Sequence, residues 1–178
     1  MWVREWIPVS TSPKGRLVLA AVKEFGARPF DEVTVAELVV AAEVTTGALY
    51  HHFGSKLGLY AVVREDVERR LLDRMEGAVA AAGPDSDRSA AVTAALLVGL
   101  DFAVREGFLR ILGVPPAGTE HDRLADMLSG SAVPETPLLG QVLAAAWRSA
   151  LAAIADGAEP EHARAAMAAL RIQVPDGE

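Results

Sequence analysis

The stretch from Thr34 to Tyr60, TVAELVVAAEVTTGALYHHFGSKLGLY, fits two short helical patterns and the start of a third into very little chain. Val35, Leu38 and Val39 fall at helical spacing, so one face of Val35–Ala42 is apolar. Glu43-Val44 breaks that run, and Thr45 offers a hydroxyl N-cap to a second short helix, Thr46 to His52. Leu49 and Phe53 form its inward side; Thr46, Gly47, Ala48, Tyr50, His51 and His52 form its outward side. Two helices with so short a link make a helix-turn-helix, whose second helix fits a major groove. Ser55 then caps a third helix. Lys56 sits in its first turn, where free backbone N–H groups and a cation can meet one phosphate together.

Read together, Thr34-Val35, Leu38, Ala42-Glu43-Val44-Thr45, Gly47, Leu49-Tyr50, His52-Phe53, Ser55-Lys56 and Leu59 carry a resemblance. The stretch from Lys14 to about Leu59 resembles the N-terminal domain of TetR-type transcriptional regulators. In that family the pattern runs T-V-x-x-[IL]-A-x-x-A-G-V-[ST]-x-G-x-[LI]-Y-x-[HY]-F-x-[ST]-K-x-x-L. Two positions depart from it. The usual small residue after the first turn is Val39 here, which tightens the helix packing, and the turn glycine is Glu43. If the turn keeps a positive φ, a non-glycine there costs roughly 1–2 kcal/mol. The resemblance implies that Thr34, Thr45, Thr46, Gly47, Ala48, Tyr50, His51 and Lys56 stand at DNA-contacting positions. Their chemistry agrees. Tyr50, His51 and Lys56 are donors of different length for phosphate oxygens. The two threonines can donate to phosphate or to a base edge. Gly47 and Ala48 let the backbone approach and offer a methyl to thymine.

The remainder of the 178-residue chain reads as helical too. It is 51% hydrophobic and alanine-rich, with few aromatics and few strand-like segments. The fold expected is all-α: a three-helix helix-turn-helix head at residues 1–60, joined by a long helix to a helical ligand-binding and dimerisation domain at residues 61–178. Ser12-Pro13 opens the first helix, and Leu17, Val18, Ala21, Val22 and Phe25 are its buried stripe. Gly26 ends that helix, Phe30 plugs the core, and Thr34 with Glu37 forms a capping box. The helix from Ser55 runs without a breaker to about Ala82. Helices follow over Arg88–Arg105, Phe108–Val114, Thr119–Leu128, Leu138–Ala155 and Glu161–Ile172, with a flexible loop at Ser129-Gly130-Ser131. The first twelve residues, with Trp2, Trp6 and Ile7, read as a loose arm.

Absences narrow the function. Without cysteine there is no disulfide framework, thiolate metal site or cysteine nucleophile. No GxSxG, HExxH or Gly-rich phosphate loop occurs, so no catalytic residue, metal or cofactor is expected. His51 and His52 are adjacent and point about 100° apart on a helix, a poor arrangement for sharing one ion. No apolar run is read as reaching the roughly 18 residues of a membrane span, and the start is not a signal peptide, so the expectation is cytoplasmic. The net charge of −7 falls wholly beyond residue 60; the first sixty residues balance six cations against six anions. Such a head grips phosphate weakly without sequence recognition.

Two further constellations lie in the second half. Val142, Ala146, Ala150 and Ala153, then Ala163, Met167 and Leu170, belong to apolar stripes bordered by alanines, which suit a four-helix dimer seam. Trp147 either anchors that seam or lines an adjacent cavity. Phe102, Arg105, Phe108, Leu112, His121 and Met127 mix apolar walls with a few polar groups, as small-molecule sites do; the resemblance implies an effector pocket in this region. The partners expected are therefore a palindromic double-stranded DNA operator, a small and largely apolar effector, and a second copy of the chain, with no membrane. The function expected is a ligand-responsive DNA-binding regulator, a repressor released by its effector. The alternative is a helical protein–protein module that keeps the head as a scaffold without gripping DNA.

Overall fold

Ser12 and Pro13 begin the first helix in the expected way. The Ser12 hydroxyl accepts from the Gly15 N–H at 3.0 Å, and Pro13 occupies the first turn of α1 (Pro13–Ala27). The computed structural model describes residues 11–83, 87–116, 121–132 and 137–170. The expected N-terminal arm lies outside them. All regular structure among the described residues is helical. The helices group into two compact units that divide between Glu68 and Arg69, inside one long helix.

In the first unit α1 buries Leu17, Val18, Ala21 and Phe25 and runs through Gly26 to Ala27; Val22 is only half-buried. A single 3-10 turn, Phe30–Glu32, follows. Phe30 stacks on Phe25 with centroids 5.7 Å apart and tilts against Tyr60 at 5.0 Å; it is half-buried, so it covers the edge of the core rather than filling it. α2 (Val35–Ala41) starts from a complete capping box: Thr34 Oγ1 accepts from the Glu37 N–H, and a Glu37 carboxylate oxygen accepts from the Thr34 N–H. Leu38 and Val39 are its buried pair. Glu43 makes the turn with φ at 53°, the strained angle expected where glycine is missing. Then come α3 (Thr46–Phe53) and α4 (Lys56–Ala82). Ser55 Oγ accepts from the Gly58 N–H at 2.9 Å and so caps α4. Gly83, at φ 85°, follows the end of α4.

The second unit holds α5 (Arg88–Glu106), α6 (Leu109–Leu112), α7 (Arg123–Ala132), α8 (Pro137–Ala155) and α9 (Pro160–Ala169). Asp87 caps α5, and Gly107 closes it in the left-handed conformation. Gly99 lets α5 approach Met75 and Leu71 of α4 closely; a Cβ there would come within 2.9 Å of the Met75 sulfur. Ser129-Gly130-Ser131 is not a loop. These residues finish α7, because Ser129 Oγ donates back to the Ala125 carbonyl at 2.8 Å and α7 lies along α8. Of the expected helix Thr119–Leu128, residues 119 and 120 fall outside the described residues, and so does everything after residue 170 in the closing helix.

One reading from sequence needs correction. Leu138–Ala155 is long and apolar enough, by length and composition, to cross a membrane, with a mean hydropathy of 1.5. In the structure this helix packs on α6, α7 and α9 and carries a buried arginine, Arg148, paired with Asp122. One side of the helix is thus packed inside the chain, while Leu138, Val142, Ala145, Ala152 and Ala153 on its other side are exposed.

Candidate nucleic-acid interface

α3 is pinned by one residue. Leu49 is fully buried, while Thr46, Gly47, Tyr50, His51 and His52 are exposed and Ala48 is half-buried. Tyr50 shows 52% of its surface, so its phenol is not part of the head's core. The His51 and His52 rings meet edge-on with centroids 5.0 Å apart. A phenol, two imidazoles and the Thr46 hydroxyl therefore stand on one solvent-facing helix and can reach phosphate or base edges. Among the described residues, no three metal-ligating side chains converge.

The two capping threonines are partly occupied. Thr45 Oγ1 accepts from the Ala48 N–H at 3.2 Å and keeps its own O–H to donate. Thr34 uses both capacities, since its hydroxyl also donates to Glu37 at 2.7 Å. Arg28 bonds Glu37 at 2.9 Å and Glu24 at 2.8 Å, tying α1 to the start of α2. Hydrogen bonds from Arg28 and from both Thr34 donors hold the Glu37 carboxyl down at about 2, so it stays ionised.

Lys56 is engaged within the head. Its ammonium donates to the carbonyls of Phe30 at 2.9 Å and Val33 at 2.8 Å and lies 4.1 Å from the Phe30 ring centroid. It is folded onto the loop before α2 rather than extended toward a phosphate. A residue that the sequence did not single out, Arg16, donates to the Glu43 carbonyl at 3.3 Å and so supports the strained turn between α2 and α3. Nothing local in the sequence signals this contact, because the two residues lie on different elements.

Residues 17–63 match the family model described as bacterial regulatory proteins, tetR family. The matched stretch contains α2, α3 and the turn between them, so the likeness is to that family's helix-turn-helix head. Solved structures similar to the chain as a whole include a TetR-family transcriptional regulator from Pectobacterium atrosepticum, at 22% identity and a TM-score of 0.62, covering 88% of each chain. A TetR-like transcriptional regulator from Rhodococcus sp. RHA1 gives 21% identity and a TM-score of 0.65, covering 92% of this chain and 94% of that one. A transcriptional regulator from Aquifex aeolicus VF5 gives 17% and 0.60, covering 88% and 96%. At these identities the likeness establishes the fold: a TetR-type head with a TetR-type helical body. No match was found among curated proteins.

In that body the expected pocket residues separate. Phe102 and Phe108 are buried and meet edge-to-face at 5.4 Å, with Leu112 also buried. The Arg74 guanidinium lies 4.2 Å from the Phe102 centroid and that of Arg70 5.6 Å from the Phe108 centroid. Met127 is half-buried. His121 and Arg105 are exposed and pair with Asp126 and Glu106 respectively. Arg105 instead borders a cleft of about 170 Å³ between α5 and α9, together with Asp101, Glu161 and Arg164.

The expected seam residues separate as well. Val142 is 56% exposed and Ala153 is exposed; Ala146, Ala150 and Leu170 are half-buried. Ala163 and Met167 are buried within the single chain, where α9 packs on α5 and α8. Trp147 is fully buried, and its indole N–H donates to the Leu96 carbonyl at 3.1 Å. It joins α8 to α5 and belongs to the interior of one chain.

Proposed function

We propose that this protein is a homodimeric, ligand-responsive DNA-binding transcriptional regulator, and specifically a repressor that a small, largely apolar effector releases from a palindromic operator. The observation that carries the reading is the match of residues 17–63 to the TetR-family model over a helix whose outer face, Thr46, Gly47, Tyr50, His51, is exposed. Residues 1–60 are assigned DNA binding, and residues 61–178 effector binding and dimerisation.

The exposed side of α8 supports self-association. Leu138, Val142, Ala145, Ala152 and Ala153 recur at helical spacing and are all exposed, an apolar stripe without cover in one chain. A dimer would present two α3 helices to half-sites about 34 Å apart. The buried Phe102–Phe108 pair, beside Leu112, supports an apolar or aromatic effector nearby. α4 contains residues of both units, so it is the element through which an effector would alter DNA affinity. Tenfold release requires about 1.4 kcal/mol of differential effector binding between the two states.

The test is fluorescence anisotropy on a duplex selected from a random library by the wild-type chain. Tyr50→Ala is expected to weaken binding at least tenfold, and Val142→Asp to give a folded monomer by sedimentation with weakened binding. The even charge balance of the head favours a second reading, a protein–protein module that uses the head as a scaffold. Failure of the wild-type chain to select any duplex would decide for it.

A further inference from the structure

A lysine ammonium has three N–H donors on one nitrogen and a flexible stem, so it can reach outward to phosphate or fold back on its own domain. Lys56 folds back. Two donors reach main-chain carbonyls at 2.8 and 2.9 Å, and the charge sits over the face of Phe30. The side chain is half-buried.

The two carbonyls are at particular places. Phe30 opens the 3-10 turn, and Val33 immediately precedes the Thr34 cap of α2. Lys56 itself begins α4, directly after the Gly54-Ser55 link that follows α3. One ammonium therefore ties the chain just before the helix-turn-helix to the chain just after it. Val33 is fully buried beneath this bond, so its carbonyl cannot move without disturbing the core. α3 packs on both α1 and α2, so fixing the start of α2 also fixes the platform on which α3 lies.

We propose that Lys56 is a positioning residue for DNA recognition, which sets α2 and α3 by holding the Phe30 and Val33 carbonyls, and is not a phosphate ligand. This rests on the DNA-binding reading of the head. To extend outward to a phosphate, Lys56 would have to give up two charge-assisted hydrogen bonds and a ring face for a contact screened by salt. A phosphate meeting only its third N–H would leave both bonds in place, and the salt slope distinguishes that case.

The test compares Lys56→Met with wild type on two duplexes: one that the wild-type chain selects from a random library, and one of scrambled sequence. At a temperature where circular dichroism shows both proteins folded, Lys56→Met is expected to lose at least tenfold in affinity for the selected duplex and little for the scrambled one. The slope of log affinity against log salt stays unchanged, and amide exchange accelerates over residues 33–49. A slope reduced by about 0.9 for each head, with exchange unchanged, makes Lys56 a phosphate ligand and overturns the proposal. The ammonium signal of 15N-lysine wild-type protein gives a second measurement that needs no variant. It is expected to keep its position and its slow exchange when the selected duplex is added; a shift on DNA addition, with faster exchange, overturns the proposal. If the wild-type chain selects no duplex, the DNA reading fails first and this role fails with it.

Discussion

Arg16 reaches 27 residues along the chain to donate to the carbonyl of Glu43, the residue that holds φ at 53°. No other non-glycine among the described residues has a positive φ. The turn of the helix-turn-helix is thus strained locally and supported from α1. A glycine in place of Glu43 removes a cost of roughly 1–2 kcal/mol and adds back roughly 0.5–1 kcal/mol of unfolded-chain entropy. Glu43→Gly is therefore expected to stabilise the protein by up to about 1.5 kcal/mol in urea unfolding. Arg16→Ala should destabilise the wild-type protein more than it destabilises the Glu43→Gly variant, because a relaxed turn needs less support. Equal effects in both backgrounds would mean that Arg16 does not act through the turn.

Much of the head was legible because its signals are local. Ser12, Thr34, Thr45 and Ser55 each bond an N–H within three residues, and these caps set the helix starts. The unbroken helix expected from Ser55 to about Ala82 is α4, and Val63, Val67, Leu71 and Met75 are buried along it at helical spacing. What the sequence does not carry is of another kind. Lys56, Arg16 and Arg148 all have partners 23 or more residues away, and sequence specifies only the reach and chemistry of such a side chain. Ser129-Gly130-Ser131 misled because loop-like composition yields to tertiary packing. Ala163 and Met167 are buried within one chain, and sequence does not separate that from a seam, because an alanine stripe looks the same whether it meets another helix of one chain or a second chain.

Glu37 gives the head a defined response to acid. Its carboxyl lies well below the ordinary 4.5, at about 2, chiefly through Arg28 and then through Thr34. A depressed folded value means that the carboxylate stabilises the fold fully above about 4.5 and loses that contribution as the pH falls toward 2. Glu37→Gln should therefore lower stability at neutral pH, with the difference from wild type shrinking between pH 4.5 and 2. Carbon-detected titration of the Glu37 side chain checks this directly. A midpoint near 4.5 would show that the Arg28 pair and the capping box leave it unperturbed.

Gly140 marks where α8 meets α7 too closely for a side chain. A Cβ there would collide with Ser129 Oγ and with the Ala125 carbonyl, and the carbonyl is backbone that cannot swing aside. Overpacking of this kind costs about 1–3 kcal/mol, more than the gain of about 1 kcal/mol from alanine's helix propensity. Gly77 is the control: it lies in α4 and a Cβ there meets nothing within 4 Å. Gly140→Ala should destabilise and Gly77→Ala should stabilise, by thermal or urea unfolding. The same sign for both would refute the close approach.

Arg148 is 7% exposed and forks onto Asp122 with bonds of 2.6 and 2.7 Å, which clamps the start of α7 to the middle of α8. Burial pushes the Asp122 carboxyl up. The Arg148 fork and the Ala125 and Leu124 N–H groups outweigh that and hold it below the ordinary aspartate value. Its contribution is accordingly present above about pH 4 and is lost as the pH falls further. The two partners are not equivalent, because the Asp122 side chain keeps 27% of its exposure and Arg148 only 8%. Asp122→Asn leaves a buried guanidinium without a counter-charge, at roughly 3 kcal/mol or somewhat more. Arg148→Met leaves a carboxylate that water can still reach and should cost less, about 1–2 kcal/mol. The double variant buries no lone charge, so it should be more stable than Asp122→Asn alone. Urea unfolding of all four proteins measures the coupling. Additive losses would show that the pair does not act as a unit.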